Sequence, residues 1–208
     1  ALWFVLLAAM GLVCAFLVRL EPMISGSGIP QVEGELIGFI DQRWSRVLPA
    51  KIAGGILCIF GGLSLGREGP SIQLGAMTGK GLSRLLERTR TEENHIITCG
   101  ASAGLSAAFN APLAGIVFAL EEIHKSFSTT ILFSVMTASV AADFLSKHIF
   151  GLAPVFHFPV EHSIPLNDYW LLLVLGVLLG LLGAFYNRAI LTTQSLFDKA
   201  KRIPPGFQ

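Results

Sequence analysis

"GREGP", Gly66-Arg67-Glu68-Gly69-Pro70, places an arginine and a glutamate side by side in an otherwise uncharged stretch. Residues 52–65 before it and 71–79 after it carry no charge. A charged side chain at the centre of a bilayer costs about 2.5–3.5 kcal/mol on insertion scales, so the pair needs a reason. The flanking glycines allow a sharp turn and the close approach of bare backbone amides. Pro70 suits a first helical turn, where its missing N–H costs nothing. The stretch therefore predicts a helix over 71–86 whose unpaired amides and positive dipole end face Arg67–Gly69.

The same grammar recurs. Gly26-Ser27-Gly28-Ile29-Pro30 precedes a helix-compatible stretch over 31–39, and Asn110-Ala111-Pro112 precedes another over 113–123. Thr91-Glu92-Glu93 reads as an ordinary N-cap with acidic first-turn residues. In a soluble protein a lone glycine-proline stretch is a turn. Inside a membrane every exposed amide must be satisfied, and converging helix starts make an anion site.

The surroundings are membrane-like. Of 208 residues, 52% are hydrophobic and 14% charged, with a mean hydropathy of +0.65, against roughly 25% charged in soluble domains. The net charge of +1 offers no basic patch for nucleic acid. Cys14, Cys58 and Cys99 lie in apolar runs, form no CxxC pair or disulfide framework, and read as small core residues. His95, His124, His148, His157 and His162 have no metal-ligand spacing and read as interfacial or solvated. No cofactor is expected.

Apolar runs cover residues 1–18, 52–65, 96–120, 126–142 and 169–187. Only the third and fifth approach the roughly 20 residues a straight span needs, and Asn110-Ala111-Pro112 should break the third. About eight helices and half-helices, all α, are expected. The first run has no basic start or cleavage site, so it reads as a membrane helix met partway and not as a signal peptide. Residues 199–205 read as a polar exit. Polar connections are expected at 41–46, 84–94 and 151–168, the last as an ordered extramembrane or interfacial loop. Arg43, Arg46, Arg84, Arg88 and Arg90 do not separate by side along the sequence, so the positive-inside rule gives no orientation.

One helix N-terminus returns roughly 0.3–1 kcal/mol to a carboxylate, at best ~2. Glu68 therefore needs several helix ends, a partner such as Arg67, or a proton. Ionised, it can stand in an anion site as a tethered substitute; protonated, it frees the site. A structural pair with Arg67 is the simpler reading. Glu121-Glu122 are either the first polar residues of a helix leaving the membrane or a proton acceptor at the aqueous end of a relay. Glu33 reads as a structural hydrogen-bonding residue near the protein interior. Gly100-Ala101-Ser102-Ala103-Gly104 fits the GxSxG nucleophile pattern, which needs a strand-to-helix elbow and a histidine; a run of small residues instead suits tight membrane-helix packing.

GSGIP at 26–30, GREGP at 66–70, and the stretch 104–115 (GLSAAFNAPLAG) leading into Glu121-Glu122 resemble the CLC family of chloride channels and proton/chloride antiporters. The resemblance spans essentially the whole chain and corresponds to the N-terminal half of a family member. It implies an all-α integral membrane fold, residues 1–208 being the first of two inverted repeats whose broken half-helices converge on an anion site. Ser27 would supply a hydroxyl to the central anion, with the amides of Gly28 and Ile29 beside it. Amides around Arg67, Glu68 and Gly69 would line the outer site. Glu68 would be the gating, proton-carrying glutamate, and Glu122 the internal proton-transfer glutamate that antiporters generally keep.

The implied partners are chloride, protons, the lipid bilayer and a second copy in a homodimer. The implied location is a membrane crossed several times, the cell membrane if the source is bacterial. The family's second-half aromatic-amide motif and tyrosine hydroxyl have no match here; Tyr169 and Tyr186 stand in other contexts. A proton-coupled chloride antiporter is thus expected from the parent molecule, with a passive chloride channel of the same fold as the alternative. An intramembrane hydrolase using Ser102 is the alternative from another class.

Overall fold

The helix that GREGP announces is α4, Glu68–Leu85, seen here in a computed structural model that describes residues 2–151 and 165–199. It starts three residues earlier than expected. The Ser71 amide donates to the Arg67 carbonyl at 3.0 Å, which closes the first turn with Glu68, Gly69 and Pro70 inside it. Eight α-helices are present among the described residues: α1 Leu2–Leu20, α2 Ile29–Leu36, α3 Trp44–Phe60, α4, α5 Arg90–Phe109, α6 Pro112–Phe118, α7 Thr129–Phe150 and α8 Trp170–Lys199. They fall into two units, residues 1–157 and 158–208.

In the first unit α4 and α5 run antiparallel along small residues. A Cβ built at Gly75 would overlap the backbone of Gly100, and one at Gly104 the backbone of Ser71. The run around Ser102 therefore serves close backbone approach, the usual role of small residues between membrane helices. Ser102 is fully buried and its hydroxyl pairs with that of Ser139 on α7. It stands mid-helix, not on an elbow, so the hydrolase alternative loses its structural context. α1 lies antiparallel to α3, Leu17 against Gly54 and Met10 against Gly61. Between them the free Cys14 and Cys58 bring their Sγ atoms to 3.7 Å. The core gathers Ile24, Val32, Val47, Ile72, Met77, Ile97 and Leu105, with Ile116, Ala119, Ile131 and Val135 forming a smaller cluster.

Several boundaries differ from the sequence expectation. α3 begins at Trp44, inside the expected 41–46 connection, and carries Pro49 within it. Lys51 is buried there because its Nζ donates to the carbonyls of Ile24 (2.9 Å) and Gly26 (3.0 Å). The cap of α5 is Thr89, two residues before Thr91, in a capping box with Glu92. The 96–120 run is broken at Asn110, whose left-handed backbone (φ 54°) ends α5. After α6 the chain continues as a π turn, Ala119–His124.

The stretches long and apolar enough to cross a bilayer among the described residues are Trp3–Leu20, Thr129–Phe150 and Leu166–Leu196. Two of these grow from runs that looked short. α7 continues past residue 142 because Asp143 and Lys147, one turn apart, pair at 2.7 Å.

The second unit is a 3-10 turn, Leu166–Asp168, followed by the 30-residue α8. Most of the expected 151–168 loop, with His157 and His162, lies outside the described residues, as do residues 200–205 of the expected polar exit.

Candidate anion site

The contact on which the candidate site rests lies between the first two glycine motifs. Gly69, buried in the first turn of α4, packs so closely on Ser27 that a built Cβ would meet the Ser27 backbone carbonyl and lie 2.8 Å from its Cβ. Gly28, the left-handed N-cap of α2 (φ 102°), sits on Gln73 with a built Cβ only 2.6 Å from Oε1. Only glycine combines that φ with that proximity. The N-termini of α2 and α4 therefore abut, and their unpaired amides and positive dipole ends share one region. Ser27 is exposed there, and its Oγ accepts from the Ile29 amide at 3.3 Å. Arg67 and Glu68 are exposed as well.

Glu68 occupies the first position of α4, where a carboxylate is favoured by its own helix dipole. Its carboxylate folds back over Gly66, whose built Cβ would stand 2.7 Å from Oε2. Arg67 does not pair with Glu68 in an ion pair; its guanidinium lies over the Phe109 ring, 5.8 Å from the centroid. That cation–π contact links GREGP to the third break at the end of α5, while Ser27 and Gly69 join the first two. Gly69→Ala should thus be the most damaging single methyl here. The obstacle is Ser27 backbone, which cannot swing away, so α2 and α4 must part. Anion binding at this candidate site, measured calorimetrically, is expected to weaken at least about tenfold, on the order of 1.4 kcal/mol. Unchanged binding would sever Ser27 from the site.

Glu121 and Glu122 are both exposed on the π turn. The turn is anchored beside α5: the Thr98 hydroxyl donates to Asn94 O at 2.8 Å and so accepts from His124 Nδ1 at 3.0 Å. The His124 ring lies 5.8 Å from that of His95. Glu33 is ion-paired with Lys125 at 3.3 Å and partly exposed, so it ties α2 to this turn. The fully buried carboxylate of α2 is Glu35, two residues on.

Glu35 belongs to a charge cluster that sequence reading missed. Lys80, 1% exposed, donates to Glu35 (2.8 Å), Asp41 (2.5 Å) and the Gln42 carbonyl (2.7 Å). Arg90 reaches Glu35 at 3.3 Å and Glu93 at 2.6 Å, and Arg84 pairs with Glu93. The cluster joins the α2–α3 and α4–α5 connections at one end of the unit, so Arg43, Arg46, Arg84, Arg88 and Arg90 all gather at that end. The Lys80 hydrogen bond holds the Asp41 carboxyl below the usual carboxylate range. The available signal for Lys80 was a cation directly after the uncharged residues 69–79 of α4.

A model of the family described as "Voltage gated chloride channel" matches residues 10–208. The H(+)/Cl(-) exchange transporter ClcA of Citrobacter koseri is 39% identical over 200 residues, 94% of this chain and 42% of the relative. ClcA of Salmonella arizonae is similar to the same extent, 39% over 200 residues. Among solved structures, a slow cyanobacterial Cl-/H+ antiporter superposes with a TM-score of 0.85 at 36% identity, over 98% of this chain and 48% of that one. The chain thus spans somewhat less than half the length of these proteins.

Proposed function

The chain belongs to the voltage-gated chloride channel family, and from that premise we propose that it forms the first of two inverted membrane repeats in a protein that exchanges chloride for protons. The packing of Gly69 on Ser27 carries this reading, because it joins two helix N-termini at the positions an anion would occupy. Ser27, Gly28 and Ile29 hold the central anion, and Arg67, Glu68 and Gly69 line the outer one. The relatives named as exchangers support proton coupling over passive conduction. The full-length protein is read as a homodimer with one pathway per subunit.

Sidedness follows from the arginines. A cytoplasmic excess of Lys and Arg orients membrane proteins, so the end holding Arg43, Arg46, Arg84, Arg88 and Arg90 is cytoplasmic. Glu68, at the opposite end of α4, faces the other side. The turn bearing Glu122 packs beside His95, in the second turn of α5, on the cytoplasmic side. A proton passing between Glu122 and Glu68 therefore crosses the protein while chloride passes the shared helix ends.

Glu122→Val in the full-length protein should leave chloride movement in place and suppress coupled proton flux, since valine carries no proton. Flux assays in liposomes, with chloride and pH electrodes read together, measure both. An unchanged proton-to-chloride ratio would make Glu122 a boundary residue only.

A further inference from the structure

Gln73 has a role that neither glycine motif explains. It lies five residues into α4 beyond Glu68, is fully buried, and touches the segments on both sides of α2. Both amide hydrogens are committed: Nε2 donates to the Met23 carbonyl ahead of α2 at 2.8 Å and to Gln42 Oε1 behind it at 2.9 Å. Gln42, 2% exposed, passes the link on through Nε2 to the Gln31 carbonyl within α2, at 2.9 Å. Its backbone amide and carbonyl are fixed in turn by Glu35 (2.6 Å) and Lys80 (2.7 Å). Turning the Gln73 amide over would set its oxygen against two acceptors, so the orientation is forced. That orientation leaves Gln73 Oε1 buried without a partner, against Gly28. An apolar side chain would avoid this orphaned oxygen, so the glutamine is accounted for by its donors.

We propose that Gln73 is a positioning residue of the anion site, setting the height of the α2 N-terminus against that of α4 through Met23 and Gln42. It touches no anion itself. It holds Gly28 and the Ser27 segment where the α2 amides face the central anion beside the first turn of α4, and a shift there alters which anion fits. Glu35 and Lys80 anchor the far end of the clamp. The inference rests on the anion-site reading proposed above.

The test uses the full-length protein and potassium chloride as the probe. Gln73→Met keeps the side chain's length and removes its donors. Chloride affinity is expected to fall about tenfold, with preference for chloride over nitrate falling alongside. Gln42→Met should give a smaller loss in the same direction, and the double variant should add little to Gln73→Met, because both act through one link. Ser139→Ala, which breaks a buried hydroxyl pair away from α2, serves as control: its melting temperature falls while affinity and selectivity hold. Should Gln73→Met not fold, Gln42→Met carries the comparison with the same control. Wild-type affinity and selectivity in Gln73→Met or Gln42→Met would overturn the positioning role. Absence of chloride binding by the wild-type protein would instead overturn the anion-site reading beneath it.

Discussion

Replacing Glu68 by glutamine should leave chloride moving and end its coupling to protons. Glutamine has the shape of the protonated acid and cannot release a proton, so on the proposed reading it fixes the one state in which the side chain leaves the anion path. The proposed gate requires the native residue to take either state. Burying a carboxylate at membrane depth costs about 2.5–3.5 kcal/mol, and each helix end returns roughly 0.3–1 kcal/mol, at best ~2. Glu68 sits in the first turn of α4, with the α2 N-terminus brought alongside by Gly69 and Ser27. Two helix ends together return about 0.6–2 kcal/mol, at best ~4, which offsets part of the burial cost and leaves room for a proton or a competing anion to decide the outcome. Arg67 does not hold the carboxylate, being drawn to Phe109. Coupled proton flux in liposomes should drop by about 100-fold or more, the scale of losing a proton-transferring side chain. Proton-driven chloride accumulation that survives the change would remove Glu68 from the gate.

Lys80→Met should produce the largest loss of stability. Lys80 and Glu35 are 1% and 0% exposed, and removing one partner of a buried pair costs about 3–5 kcal/mol because the other charge stays buried. Glu35 would keep the Gln42 amide and the longer contact to Arg90, which does not replace an ammonium at 2.8 Å. Against a total stability of roughly 5–15 kcal/mol, the loss should show as a clear fall in the thermal midpoint of the detergent-solubilised protein. Glu35→Gln together with Lys80→Met should recover much of it, since neither charge is then stranded. A single variant as stable as wild type would mean that the pair is open to water.

Asp41 adds a pH dependence of known sign. Its carboxyl is held below the ordinary value by Lys80, so its contribution is complete above the unfolded value and fades as pH falls through the folded one. With 73% of its side chain exposed, that contribution is small.

The parts that were legible in the sequence are those where one residue type answers one backbone demand. Gly28 must be left-handed and Gly69 must admit Ser27, so glycine marks both places, and proline marks the helix that follows. Asn110 announces its own left-handed break. Lys51, Lys80, Glu35 and Gln73 were not legible, because their partners lie 27, 45, 45 and 31 residues away and a charged side chain satisfied by tertiary contacts looks like a solvated one. The same holds for the arginines, which appeared unsorted along the chain until Lys80, Asp41 and Arg84 tied their two connections together. Arg43 and Arg46 likewise disguised the first turn of α3 as a connection, and Lys51 set the start of the apolar run at residue 52.

Proton-coupled exchange is decided by the reversal potential of the full-length protein, reconstituted in a planar bilayer with equal chloride on both sides and a pH difference across it. The zero-current voltage should move away from zero with the pH difference, in the direction that drives protons down their gradient against chloride. A reversal potential that stays at zero at every pH difference would show a passive chloride channel instead.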